Sequence, residues 1–226
     1  MLSYEKLIIR RIDVNNILGI IVSFLFIFLV IAFGKVFEKL GKEASRKFIH
    51  IALCNWWFIA MAFFDNVIYA SIVPACFIII NTISYKTKLL GTMERETNDG
   101  FGTIYYAIAL LILVIISFGI CKNPQLGLPG VLIMGYGDGL ACVLGERIKS
   151  KKYKVGNTTK SIAGSITMFI IAFVIYIITN YAYNFNIPIL KLLLASIIVT
   201  ILEAVSIKGT DNITVPIVAS SILLLF

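Results

Sequence analysis

The chain has 226 residues, 59% of them hydrophobic and 14% charged, with a mean hydropathy of +0.96. A soluble domain carries nearer a quarter charged residues, so the composition excludes an ordinary water-soluble globule and points to an integral membrane protein. The net charge of +8 is no sign of nucleic-acid binding, because the basic residues sit in short segments between apolar runs. There they act as topology determinants and as contacts for phosphate or anionic headgroups.

In chain order, residues 1–16 read as a short polar head with Lys6, Arg10 and Arg11. Ile17–Phe33 is an apolar run of 17 residues, about the minimum for a span. It is too long for a signal peptide and no clear small-residue cleavage site follows, so it is kept as a helix. Further spans are expected at 48–64, 67–83, 101–121, 126–145, 161–183 and 187–206, with Ile213–Phe226 as a short or tilted eighth. Long unbroken runs without ten-residue alternation exclude a transmembrane barrel. The expectation is an all-α, polytopic membrane bundle of seven or eight transmembrane helices, one domain over 1–226. The cysteines Cys54, Cys76, Cys121 and Cys142 form no C-x-x-C pair and read as small apolar fillers.

Fifteen of the twenty basic residues fall in the segments 34–47, 84–100, 146–160 and 207–212. The positive-inside rule then places the odd-numbered connections in the cytoplasm and the N-terminus outside, although the three basic residues of the head pull the other way. The conspicuous polar residues fall on or beside these same connections. A pocket at the cytoplasmic face is therefore expected, and Asn157-Thr158-Thr159 and Asn212-Ile213-Thr214 are chance glycosylation matches.

Five clusters carry chemistry. Arg46-Lys47-Phe48-Ile49-His50 places Arg46 and His50 on one helix face, where they could grip phosphate or serve as a basic membrane flank. The segment from Met93 to Gly100 holds Glu94, Arg95, Glu96 and Asp99, suited to metal or to an ordinary solvated loop; Tyr105 and Tyr106 after it read as interface anchors. Gly135-Tyr136-Gly137-Asp138-Gly139 ends a membrane-length run, and a carboxylate at that depth costs about 2.5–3.5 kcal/mol, which marks Asp138 as functional. Gly137 and Gly139 would let a ligand approach closely. Lys160-Ser161-x-x-Gly164-Ser165 follows a basic loop containing Lys152 and Lys154. Ser161 is a candidate N-cap whose helix terminus would offer free N–H groups to phosphate, with Lys160 adding a point charge. Glu203, inside the seventh run, with Asp211 and Asn212 could complete a metal site around Asp138, since magnesium takes one or two carboxylates plus phosphate oxygens.

Together these blocks resemble the CTP-dependent lipid kinases, the family of dolichol, phytol and farnesol kinases and the yeast-type diacylglycerol kinase, distantly related to phosphatidate cytidylyltransferase. The resemblance runs from Arg46 to Pro216. It is carried by Arg46-Lys47-x-x-His50, Glu96 with Gly102-x-x-Tyr105-Tyr106, Gly137-Asp138-Gly139-x-Ala141-x-x-x-Gly145, Lys160-Ser161-x-x-Gly164-Ser165 and Glu203-x-x-Ser206-x-x-Gly209-x-Asp211-Asn212. It departs at Ala163 and Cys142, where relatives often carry acids, and it lacks the H-G-G-x-x-D-R-x-D block of the cytidylyltransferases.

The resemblance implies transfer of the γ-phosphoryl group of CTP to a membrane-embedded alcohol that enters sideways from the bilayer. Magnesium or another divalent cation would be held by Asp138 with Glu203, Asp211 or Glu96. Lys160 and Arg46 would act on the transferring phosphate, and His50 or a free carboxylate would take the alcohol proton. Lys47, Lys152, Lys154, Ser161, Gly137, Gly139, Gly164 and Asn212 would contact the nucleotide. Cytidylyl transfer to a phosphatidate-like lipid and an ion-coupled transporter remain the alternatives, and a homodimer is left open.

Overall fold

The computed structural model of the chain describes residues 2–87, 101–156 and 158–225, with side chains from Val14 onward. Its helices are α1 (Leu2–Phe37), α2 (Lys42–Leu53), α3 (Trp56–Phe63), α4 (Val67–Thr87), α5 (Gly102–Val114), α6 (Leu128–Leu132), α7 (Gly139–Arg147), α8 (Ile162–Ala182), α9 (Ile189–Val205) and α10 (Asp211–Ser221). The all-α architecture expected from the apolar runs is present. Among the described residues, five helical stretches are long and apolar enough to cross a membrane: Val14–Leu40, Val67–Thr87, Gly102–Ile120, Pro124–Arg147 and Ile162–Ala182. α9, with 17 residues, and α10 are shorter.

Three expectations change. The head, from Leu2, continues into the first span as one helix. The run 48–64 is not one helix: α2 begins at Lys42, and the chain breaks at Cys54 and Asn55 before α3. There Asn55 Nδ2 donates to Ala52 O at 3.1 Å and Cys54 Sγ to Ile51 O at 3.0 Å, so side chains satisfy carbonyls that a continuing helix would use. The basic loop 146–160 contains an antiparallel hairpin, β1 (Lys152–Val155) and β2 (Thr158–Ser161), pairing Lys152 with Ser161 and Val155 with Thr158. Gly156, with φ of +56°, supplies the left-handed residue that a two-residue turn requires.

α1 packs through a single stripe, with Asn16, Gly19, Ser23, Ile27, Val30 and Gly34 buried at helical spacing. A side chain at Gly34 would collide with Ile49, and one at Gly19 with Phe63, so these glycines set the close approach that replaces hydrophobic drive inside lipid. Opposite this stripe, the membrane-length part of α1 exposes apolar side chains such as Ile21, Leu25 and Phe28, the last at 68% exposure.

Two apolar cores flank the stretch Leu128–Arg147. One gathers Trp56, Trp57, Leu113 and Val131; the other gathers Met168, Tyr176, Leu192 and Val199. Within this stretch Ile133–Asp138 is a π-helical turn, a feature that re-aims side chains and recurs at functional sites. Its glycines are packing surfaces. A Cβ at Gly135 would lie 2.4 Å from Cys54 Cβ, one at Gly137 2.7 Å from Met168 Sδ, and one at Gly139 2.3 Å from Ile51 Cγ1. Gly139→Val is therefore expected to destabilise the bundle by about 1–3 kcal/mol through overpacking against Ile51, read as a lowered thermal midpoint in detergent. An unchanged midpoint would remove this packing role.

Candidate active site

The polar ends of α2, α7, α8, α9 and α10 meet around a cavity of about 350 Å³. At its centre, carboxylate oxygens of Asp138, Glu203 and Asp211 all lie within 4.8 Å of one another. The π turn delivers Asp138 from the middle of the bundle. Glu203 comes from the last turns of α9, and Asp211 opens α10.

Two ammonium groups answer them. Lys47 Nζ, on a buried side chain of α2, lies 3.3 Å from Asp138 Oδ2. Lys160 Nζ, from β2, donates to Glu203 through its backbone carbonyl and through Oε1 at 2.6 Å, and to Ser206 Oγ at 2.8 Å; Asp211 Oδ2 is 3.9 Å away. Ser206 Oγ lies 3.0 Å from Asp211 Oδ2, tying the two acids together. Three carboxylates facing two ammonium groups leave one excess negative charge. An added divalent cation would reverse that sign and favour a polyphosphate. This hard-oxygen cluster fits magnesium.

His50 Nε2 lies 3.0 Å from Met134 O and 3.3 Å from Asp138 Oδ2, with its ring set edge-on against Tyr106 at 5.0 Å. A carbonyl can only accept, so in the neutral ring this nitrogen carries the proton. His50 thereby helps to orient Asp138. Arg46 lines the cavity too, but its guanidinium is paired with Glu43 on the same helix.

Asn212 Nδ2 donates to Gly102 O at 3.2 Å, which fixes the amide orientation and leaves Oδ1 buried with no hydrogen-bond partner. This orphaned acceptor, on a residue lining the cavity beside Asp211, is the kind of group that a cation or an amine satisfies.

Of the other residues expected at the site, Lys152, Ser161 and Gly164 line the cavity, whereas Lys154, Gly137 and Gly139 do not. The two glycines face Met168 and Ile51 instead of a ligand. Glu96 lies outside the described residues. The open amides expected at the start of α8 are already engaged: Ile162 N donates to Lys151 O, Ala163 N to Ser150 Oγ and Gly164 N to Ser161 Oγ. Ser161 Oγ also donates to Gly145 O at 3.0 Å, so it is a cap and a helix clasp. α5, like α10, starts at the cavity, where Gly102 and Thr103 line the wall. No described residue accepts from the amides of Gly102, Thr103 or Ile104.

Three cavity residues have roles that their sequence positions did not indicate. Tyr106 is 7% exposed and stacks edge-on with His50 instead of anchoring an interface. Ser206 bridges Lys160, Glu203 and Asp211. Asn81, a lone amide in an otherwise apolar run of α4, is 6% exposed and donates to Thr103 O at 2.9 Å; its isolation in that run was the available signal.

No protein-family model matches the chain, and no solved structure matches it. Among curated proteins it is 30% identical over 185 residues to a phytol kinase of Synechocystis, covering 77% of this chain and 76% of that protein. It is 28% identical over 213 residues to chloroplastic phytol kinase 1 of Arabidopsis thaliana, covering 84% of this chain and 69% of the relative. Helical membrane architecture, the order of the polar blocks and these identities agree, and the chain belongs to the family of lipid kinases that includes the phytol kinases.

Proposed function

We propose that this lipid kinase transfers the γ-phosphoryl group of CTP to the hydroxyl of a membrane-embedded prenyl-type alcohol. The observation that carries the reading is the juxtaposition, in one cavity, of a three-carboxylate cluster flanked by two lysines with an apolar inner wall. Asp138, Glu203 and Asp211 would hold a divalent cation, which supplies charge neutralisation at the phosphate oxygens.

The alcohol oxygen forms a bond to the γ phosphorus while the bond to the β–γ bridging oxygen breaks, and CDP leaves. Lys47 and Lys160 stabilise charge on the phosphoryl oxygens as it shifts toward CDP. Gly102 and Thr103 present backbone N–H groups to the phosphate tail, and Lys152 and Lys208 add positive charge at the rim. A carboxylate of the cluster accepts the hydroxyl proton. His50 is a positioning residue, because its Nε2 edge is taken by Met134 O and Asp138. The site end of the bundle collects most of the basic connections, so it faces the cytoplasm in this reading.

The test is incorporation of label from CTP carrying it at the α or the γ position, with purified protein in lipid nanodiscs containing phytol, farnesol or diacylglycerol, and phosphatidate in a parallel set. γ-label in the alcohol supports the proposal. α-label in lipid would assign cytidylyl transfer instead, and γ-label arriving from ATP but not from CTP would overturn the donor.

A further inference from the structure

Three helices lining the cavity each grade from polar to apolar along one face. α2 runs from Lys47 through His50 to Leu53; α5 from Thr103 through Tyr106 to Leu110; α4, antiparallel in sense, from Asn81 through Phe77 to Val73. At 1.5 Å per residue, Thr103 to Leu110 and Asn81 to Val73 correspond to an arm about 10–12 Å deep, leading away from the carboxylates. Polar groups ring its mouth, where Asn81 bonds to Thr103 O and Tyr106 packs on His50. Its inner wall is carbon, closed by Ile27 of α1 and Trp56 of α3.

The wall between α1 and α4 is thin. Phe77, which lines the arm, stacks on Phe24 of α1 with centroids 6.3 Å apart and planes 26° apart. Phe24 is 36% exposed on the apolar outer surface of α1, and its neighbours Ile21, Leu25 and Phe28 are exposed beside it. One aromatic pair therefore separates the arm from the surroundings of the bundle. Pro74 sits one turn away on the arm side of α4 and removes a helical hydrogen bond there.

The geometry points to this arm as the binding site for the first carbons of the acceptor's hydrocarbon chain, entered between α1 and α4 past Phe24 and Phe77, with Phe77 and Leu110 determining which chains fit. Resting on the lipid-kinase reading, it adds where the tail lies and which residues select it. The occupant is the acceptor tail and not a bulk phospholipid chain, because the arm's polar mouth opens directly on the carboxylate cluster. A hydroxyl there lies beside the phosphoryl site, whereas a phospholipid would have to bring its whole headgroup into the nucleotide's place.

The experiment compares wild type, Leu110→Trp and Phe77→Ala with a long-chain prenyl alcohol and a five-carbon prenyl alcohol, each at saturating CTP. Leu110→Trp is expected to lower kcat/KM for the long alcohol at least tenfold while leaving the short alcohol and the KM for CTP within twofold. Phe77→Ala is expected to change kcat/KM for the long alcohol at least threefold while leaving the five-carbon alcohol within twofold. A diazirine placed in the second prenyl unit of the long alcohol is expected to label the segment 73–77 or Leu110, and excess unlabelled alcohol to prevent it. Equal loss for both alcohols, no loss for either, or labelling confined to the outer face of α1 would overturn the assignment. Protection by added phospholipid instead of alcohol would do the same. A wild-type protein that phosphorylates neither alcohol would instead count against the kinase reading itself.

Discussion

Asp138→Asn is expected to lower phosphoryl transfer by roughly 10²–10³-fold, the scale of losing one preorganised electrostatic group at a reacting phosphate. Asp138 is where the carboxylate cluster meets the buried basic side of the pocket, with Lys47 and His50 both 3.3 Å from Oδ2. Amidation removes one of the three negative charges of the cluster and leaves Lys47, whose side chain is only 9% exposed, without its counter-charge. Breaking such a pair from one side costs about 3–5 kcal/mol, so the variant should also unfold at a lower temperature. The two effects separate in the double variant Asp138→Asn with Lys47→Met, which is expected to recover most of the thermal midpoint and none of the activity. A single variant with wild-type turnover would end the assignment of Asp138 to the cation.

Lys160→Met should act at the other side of the cluster. The ammonium makes close contacts with Glu203 and Ser206, and its removal leaves Glu203 and Asp211 with side chains 8% and 16% exposed and an uncompensated charge. Transfer is expected to fall at least about a hundredfold. The more diagnostic readout is thermal: adding magnesium should raise the unfolding midpoint of Lys160→Met by several degrees more than that of wild type, because a cation binding only the folded state stabilises it by mass action and meets less competition there. Equal shifts in the two proteins would mean that magnesium does not bind among these carboxylates.

Much of this site was legible in the sequence because charge inside an apolar chain is expensive. Asp138 and Glu203 stand out against their runs, and the common placement of Arg46, Lys47, Lys160 and Asp211 at alternate connections anticipates that they meet. The glycines were legible only as small. Whether a missing side chain admits a ligand or a neighbouring helix depends on what lies opposite, and for Gly137 and Gly139 that is Met168 and Ile51. The break at Cys54 and Asn55 hides because nothing there is Gly or Pro and a lone Asn does not interrupt a membrane-length run; it comes from side chains competing for Ile51 and Ala52 carbonyls. The hairpin hides for a different reason. Lys152 to Val155 alternates too briefly to register, and its lysines read as a solvated charge run. Tyr106 passes for an interface anchor until α5 is seen to turn it toward His50. Ser161 is legible as a cap, but with Ser161 Oγ, Ser150 Oγ and Lys151 O taking the first amides of α8, nothing is left for phosphate.

The opening turn of α5 carries a wider consequence. Whatever attraction Gly102 and Thr103 exert comes from the main chain, and no side-chain replacement deletes it. Systematic truncation of the pocket would therefore underestimate how strongly the protein holds its donor, and residual binding in a heavily stripped variant would be the signature of peptide dipoles rather than of an overlooked cation.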